Sequence, residues 1–228
     1  MGNIHFIGGE KGGVGKSMTS RLLAQYLIDA GTSFIGLDSD QSHGTFSRFY
    51  SEYASPLVVD DYDSLDQLVL LAQENPDYDL IIDLAAQTSA RLGKWIEESD
   101  SLSLFQEIGS QVYLWHVLDD GADSVNLLNG ILNRYPQEFI KFVVVSNLGR
   151  GECFDHFEQS TTYKKAKDRD ATFMTLTKLQ PQLAARLDFN NTSFWAAANN
   201  SDVMNIIERS RVRTWLKNNY QQFDKLIG

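Results

Sequence analysis

The stretch Gly8-Gly9-Glu10-Lys11-Gly12-Gly13-Val14-Gly15-Lys16-Ser17 follows the apolar run Ile4-His5-Phe6-Ile7 and leads into a helical pattern. Its residue types suit one task, wrapping a chain of anionic phosphate oxygens. Such a loop needs backbone N–H groups turned inward with no side chains in the way. Glycine at 12, 13 and 15 supplies that backbone, since each can take positive φ without a Cβ clash. A helix opening at Ser17 adds the positive end of its dipole. Lys16 is expected to place its charge at the β- and γ-phosphates, and the Ser17 hydroxyl to coordinate Mg²⁺. Gly12, Gly13, Val14, Gly15, Lys16, Ser17 and Met18 are therefore the expected ATP-binding residues. Two features depart from the strict G-x-x-x-x-G-K-S/T pattern: Glu10 stands where it has glycine, and Lys11 is a second lysine.

Acids at the ends of apolar runs extend the site. Leu80-Ile81-Ile82-Asp83 has the form of a Walker B element, whose carboxylate holds Mg²⁺ through water. Asp38-Ser39-Asp40-Gln41 follows the run Ser33–Leu37 directly, so both aspartates fall at a carboxyl end of the sheet beside the phosphate loop. The same two residues also suit the cap of a following helix. The histidines His5, His43, His116 and His156 show no metal-ligand spacing and read as structural or solvent-facing. The single cysteine, Cys153, excludes an internal disulfide framework and a four-cysteine cluster built from one chain. Trp195 and Trp215 read as core aromatics.

These residues meet only if a sheet gathers strand ends. Short apolar runs alternate with helical segments, which predicts an α/β fold: a doubly wound, mostly parallel sheet with helices on both faces, as a single domain over residues 1–228. Strands are expected at Ile4–Gly8, Ser33–Leu37, Leu57–Val59, Leu80–Leu84, Val112–Leu118, Phe139–Ser146 and Ala171–Leu176. Helices are expected from Ser17 to Ala30 with Gly31 as C-terminal cap, over Ser64–Glu74, after Thr88 with Leu92, Trp95 and Ile96 on one face, and around Val125, Leu128 and Leu132. A last helix from about Asp202 to Ile227 carries Ile206, Val212, Trp215, Leu216, Tyr220 and Phe223.

A hydrophobic fraction of 43% and a charged fraction of 22% are those of an ordinary globular protein, and no apolar run approaches the length of a bilayer span. The N-terminus lacks the basic start and apolar core of a signal peptide, and a reducing cytoplasm is expected. The net charge of −10 argues against nucleic-acid binding over the whole surface. It leaves room for a local patch. Lys164–Arg169 and Arg209–Arg213 both suit solvated helix faces; if non-specific DNA is bound, Arg209, Arg211 and Arg213 are the preferred contacts. The polar side of the last helix offers only Lys217 and Lys225 in its final turns, set against Asp224, so packing on the sheet is expected rather than a stable membrane anchor.

The K-G-G-x-G-K-S/T segment with its two lysines resembles the deviant Walker A motif of the ParA/MinD family of partition and positioning ATPases. The resemblance is strong over residues 1–50 and 79–87, moderate around 139–149 and weak beyond. It implies a P-loop NTPase fold, activator-dependent hydrolysis of ATP to ADP and phosphate, and a homodimer that bound ATP closes. Carried over residue by residue, Lys11 is a trans lysine reaching the phosphates held by the other subunit, Lys16 the cis lysine and Ser17 a magnesium ligand. Asp40 positions the attacking water and approaches the metal shell with Asp83, and Asp38 supports it. Asn147, delivered by the strand Phe142–Ser146, resembles the family's base-contacting asparagine, with Thr175 to Leu179 on the base's other side. The chain departs from the family at Gln41, where proline is common, and at Ala85-Ala86-Gln87, which replaces a proline-containing turn. The implied role is plasmid or chromosome partition, mobilisation or intracellular positioning, with a protein activator and, where DNA is the matrix, residence on the nucleoid. A rival of a different class shares the fold: an ATP-dependent ligase or synthase acting on a small carboxylate, which would turn over only with that acid present.

Overall fold

In the computed structural model, which describes residues 1–227, seven strands form one sheet. They are β1 (Asn3–Gly8), β2 (Phe34–Asp38), β3 (Ala54–Pro56), β4 (Asp79–Asp83), β5 (Gln111–Leu118), β6 (Ile140–Asn147) and β7 (Thr172–Leu176). Around them run α1 (Lys16–Ala30), α2 (Thr45–Phe49), α3 (Tyr62–Glu74), α4 (Ser89–Ser99), α5 (Ser101–Glu107), α6 (Ala122–Arg134), α7 (Asp155–Glu158), α8 (Thr161–Asp168), α9 (Pro181–Phe189), α10 (Phe194–Asn199) and α11 (Ile206–Ile227).

The strand order is β3-β2-β4-β1-β5-β6-β7 and every pairing is parallel. Side chains alternate across the sheet with period two. Ile7, Ile81, Trp115, Val117, Val143 and Val145 join a core with Leu22 and Leu23 of α1, Phe194 of α10 and Phe223 of α11. Phe6, Leu80, Ile82, Leu114, Phe142 and Val144 join a second core with Trp95 of α4, Phe105 of α5 and Leu128 of α6. Helices thus cover both faces, which is why the central strands read as nearly unbroken apolar runs.

Three expectations shift. The strand placed at Leu57–Val59 lies instead at Ala54–Pro56, on the sheet edge, where Pro56 loses no ladder bond by lacking an N–H. Leu57 and Val59 are buried all the same, and that burial, rather than strand pairing, is what their apolar pattern signals. The last helix starts at Ile206 rather than Asp202, and Ile206 itself is exposed. Its inner face is Val212, Trp215, Leu216 and Phe223, whose ring centroid lies 6.0 Å from that of Trp115 on β5, so it packs on the sheet. Trp195 is 56% exposed, because Phe194 takes the inward position on short α10. No helix among the described residues is long and apolar enough to cross a membrane.

Parallel pairing brings every strand's carboxyl end to one edge. The glycine loop after β1, Asp38 of β2, Asp83 of β4, Asp119 after β5 and Asn147 of β6 all lie there. β1 sits between β4 and β5, where the chain order reverses, the place where open α/β sheets bind ligands.

Candidate nucleotide site

The glycine loop turns into α1 through Gly15, whose φ of 108° is left-handed and whose missing Cβ would fall 2.1 Å from the Asn147 amide nitrogen. Gly9, Gly13 and Gly15 take positive φ and Gly12 does not; Gly12 lines the cavity all the same, whereas a Cβ at Gly9 would meet the Val117 carbonyl oxygen of β5 at 2.9 Å. No acidic residue occupies the first turn of α1, which leaves its dipole free for an anion. In front of this helix end lies a cavity of about 610 Å³ whose wall includes Gly12, Gly13, Lys16, Ser17, Asp40 and Arg48. A separate cavity of about 530 Å³ between α1, α10 and α11, with Trp195 and Lys217 in its wall, has no glycine-loop backbone.

The two lysines take different paths. Lys16 is 8% exposed and its Nζ donates to the Lys11 carbonyl at 3.2 Å. Burial holds its pKa below the usual lysine range, opposed by Asp83, Glu10 and Asp40. Lys11 is not part of the cavity wall; its Nζ lies 2.5 Å from Asp119 Oδ2, just past β5. That hydrogen bond raises the Lys11 pKa. Asp119 also accepts from the Ser124 hydroxyl at 2.6 Å and the Gly121 N–H at 3.1 Å. Burial works against its charge, but these donors and Lys11 hold its carboxyl below the usual range.

The three site acids differ in what they hold. Asp38 accepts from the Asp40 N–H at 3.0 Å and from the Ser47 N–H at 2.9 Å, tying its own segment to the start of α2. These contacts are those of a helix cap, which its position after a strand also suited, and they hold the Asp40 backbone at the same time. Asp40 lies in the cavity wall and accepts from the Ser42 N–H and hydroxyl and the His43 N–H. Burial opposes its charge, yet the Ser42 hydroxyl and those backbone donors keep its carboxyl below the usual range. Asp83 is 1% exposed, beneath the cavity rather than in its wall, and neither carboxylate oxygen has a well-formed hydrogen bond. Burial pushes its pKa up to about 7, and nearby Asp38 adds to the rise; Ser17, Ser20 and Lys16 pull the other way.

Asn147 is buried and its amide is already engaged: Nδ2 donates to the Val14 carbonyl at 2.7 Å and Oδ1 accepts from the Gly149 N–H at 2.9 Å. It braces the phosphate loop as well as bordering a second cavity, of about 330 Å³, with Leu176, Thr177, Leu179 and Pro181. Glu10, the departure from the strict pattern, accepts from the Ser89 N–H at 2.8 Å and so caps α4, whose own N-cap residue Thr88 makes no capping bond. It joins the phosphate loop to the turn after β4, where Gln87 has a left-handed φ of 63°. Sequence reasoning left four residues of this region unassigned: Asp119, Asp188, Arg48 and Arg150. Asp119 had a signal, an acid directly after an apolar strand; the other three are brought in by helix and loop packing alone.

No family model matches the chain. It is 26% identical to Protein MobD of Acidithiobacillus ferrooxidans over 217 residues, covering 94% of this chain and 95% of that protein. It is 27% identical to an Escherichia coli Protein TraL, covering 98% of each. Among solved structures it shares the fold of the MinD cell division protein of Aquifex aeolicus, with a TM-score of 0.52, 12% identity and coverage of 95% of this chain and 96% of that one. These likenesses run over the whole chain: it is similar from end to end to MobD and TraL, and its parallel sheet, with the glycine loop and the acids along its carboxyl edge, shares the fold of MinD.

Proposed function

We propose that the chain, as a single domain, binds ATP with Mg²⁺ and hydrolyses it slowly, on demand from a protein activator, as a dimerisation switch in plasmid mobilisation, partition or intracellular positioning. The observation that carries this reading is Asp83: a fully buried carboxylate with no settled partner, next to Lys16 and Ser17. An uncompensated buried carboxylate is unfavourable in the free protein, and a divalent cation nearby removes the penalty. The residues present fit Mg²⁺ in particular. That ion keeps several waters and needs only one or two carboxylates beside the phosphates, and no cluster of three or more His, Cys, Asp or Glu poised for a metal occurs among the described residues. Ser17, Asp83 and Asp40 are the groups to hold it. Mg²⁺, when bound, neutralises charge on the β- and γ-phosphate oxygens.

The chain's own residues supply the rest. The N–H groups of residues 12 to 17 and the α1 dipole bind the phosphates, and Lys16, already buried, adds a charge little screened by water. Asp40, held ionised and oriented by Ser42 and His43, accepts a hydrogen bond from the attacking water. Lys11 completes the charge clamp in the other subunit's site, so it must first leave Asp119. Full-length similarity to MobD and TraL supports the ParA/MinD-like role.

Lys11→Ala tests the switch. The variant is expected to keep most ATP affinity and to remain monomeric by light scattering with a non-hydrolysable ATP analogue, under conditions where the parent chain dimerises. Normal dimerisation of the variant would remove the trans assignment.

A further inference from the structure

Arg21, in the second turn of α1, is 2% exposed, yet its Nε and Nη2 have no hydrogen-bond partner. Its guanidinium carbon lies 3.6 Å from the ring centroid of Phe49 and 5.0 Å from that of Phe194. Nη1 reaches one acceptor, Asp188 Oδ1, at 3.4 Å. A buried cation with two unmet donors is a poor device for stabilising a fold. Its partner is equally out of place. Asp188 lies in the last turn of α9, where the helix dipole favours cations, and its side chain is 60% exposed. The pair is better understood as a fixed base holding a carboxylate toward something outside the chain.

The cavities say what that is. The space of about 610 Å³ in front of the glycine loop and the space of about 330 Å³ beside Asn147 share four wall residues: Gly15, Met18, Arg150 and Asp188. This inference rests on the reading that ATP binds here. The first space then receives the phosphates and the second, with Leu176, Leu179, Pro181 and Trp215 in its wall, receives the base. The sugar must lie at their boundary. Of the four shared residues, Asp188 alone carries a carboxylate, and Arg150 offers only donors. A ribose presents two neighbouring hydroxyl donors, which one carboxylate can accept together.

We propose that Asp188 reads the ribose, accepting hydrogen bonds from the 2′- and 3′-hydroxyls, and that Arg21 is a positioning residue that fixes its carboxylate from behind. The site is thereby specific for a ribonucleotide.

Titration of the full chain with ATP and with 2′,3′-dideoxy-ATP, both with Mg²⁺, tests this. Hydrogen bonds to a charged group predict that ATP binds about 10- to 100-fold more tightly than the dideoxy analogue. In Asp188→Asn, with its melting temperature as a folding control because the change weakens the one acceptor of buried Arg21, that ratio is expected to fall toward one. Arg21→Lys, with its melting temperature as a folding control, is expected to reduce the ratio in part. An unchanged ratio in Asp188→Asn, or no discrimination by the parent chain, overturns the ribose assignment and leaves ATP binding standing. If the parent chain binds neither nucleotide, the functional reading fails and this inference falls with it.

Discussion

Asp83 offers the sharpest test of the site, because its burial has a consequence that can be measured without any ligand. Its pKa is raised from the ordinary 3.8 to about 7, chiefly by burial. A raised acid binds its proton more tightly in the folded chain than in the unfolded one, so folding is favoured at low pH and loses ground as pH rises. Below about pH 4 both states are protonated and the group contributes nothing. Between the unfolded and folded pKa values the folded state is progressively penalised, and above about 7 the penalty is constant. A rise of roughly three pKa units corresponds to about 4 kcal/mol at 1.36 kcal/mol per unit. Relaxation and water entry around a real buried charge make roughly 2–4 kcal/mol the expected range.

Asp83→Asn removes the charge at nearly constant volume. Urea unfolding of the nucleotide-free parent and variant at a series of pH values from 4 to 8.5 isolates the term, since the other titrating groups cancel in the difference. The variant is expected to gain on the parent steadily between pH 4 and 7, by the amount above, and then to hold level. It is also expected to lose Mg²⁺-dependent nucleotide affinity, and the parent's Mg²⁺ affinity should fall as pH drops below 7, where the ion must displace a proton. A stability difference that does not change with pH would refute the claim that Asp83 sits ionised at a penalty, awaiting a cation.

Glu10→Ala removes the one side-chain bond that caps α4, and a loss of about 1 kcal/mol in urea unfolding is expected; no loss would show that Glu10 does not hold that helix. Asn147→Ala leaves the Val14 carbonyl and the Gly149 N–H without partners, so it should cost roughly 1–3 kcal/mol of stability and weaken binding of ATP and GTP alike. A selective loss of ATP would instead make Asn147 chiefly a base reader. The guanidinium groups of Arg209, Arg211 and Arg213 already donate to the Met204 carbonyl, the Gln180 side chain and the Ala198 carbonyl. Changing all three to alanine is expected to lower ATP-dependent retention on non-specific DNA at low salt; unaltered retention removes this face as a DNA contact.

Most of the fold was legible in the chain. Strands buried on both faces leave unbroken apolar runs, so six of the seven fell within a residue or so of their observed ends. The edge strand β3 did not, because three residues paired on one side leave too little pattern, and the burial of Leu57 and Val59 drew the reading past it. The phosphate loop announced itself for a related reason. Its expected task falls on contiguous residues: glycines free the backbone to turn its N–H groups inward, and lysine and serine bring a charge and a hydroxyl to the same place at fixed spacing.

Contacts between distant segments were another matter. The sequence by itself determined that Lys11 and Lys16 flank a glycine loop suited to phosphate and that Asp38 and Asp83 end strands beside it, with Asp40 two residues past the first. Only the tertiary structure decided that Lys11 rests on Asp119, that Asp38 ties down α2, that Glu10 caps α4, and that Arg21 lies buried behind Asp188. The physical reason is range. Local spacing records what neighbouring residues must do for the backbone between them, whereas an ion pair between residues 108 or 167 positions apart leaves no periodic trace and exists only once the parallel sheet has drawn its strand ends to one edge.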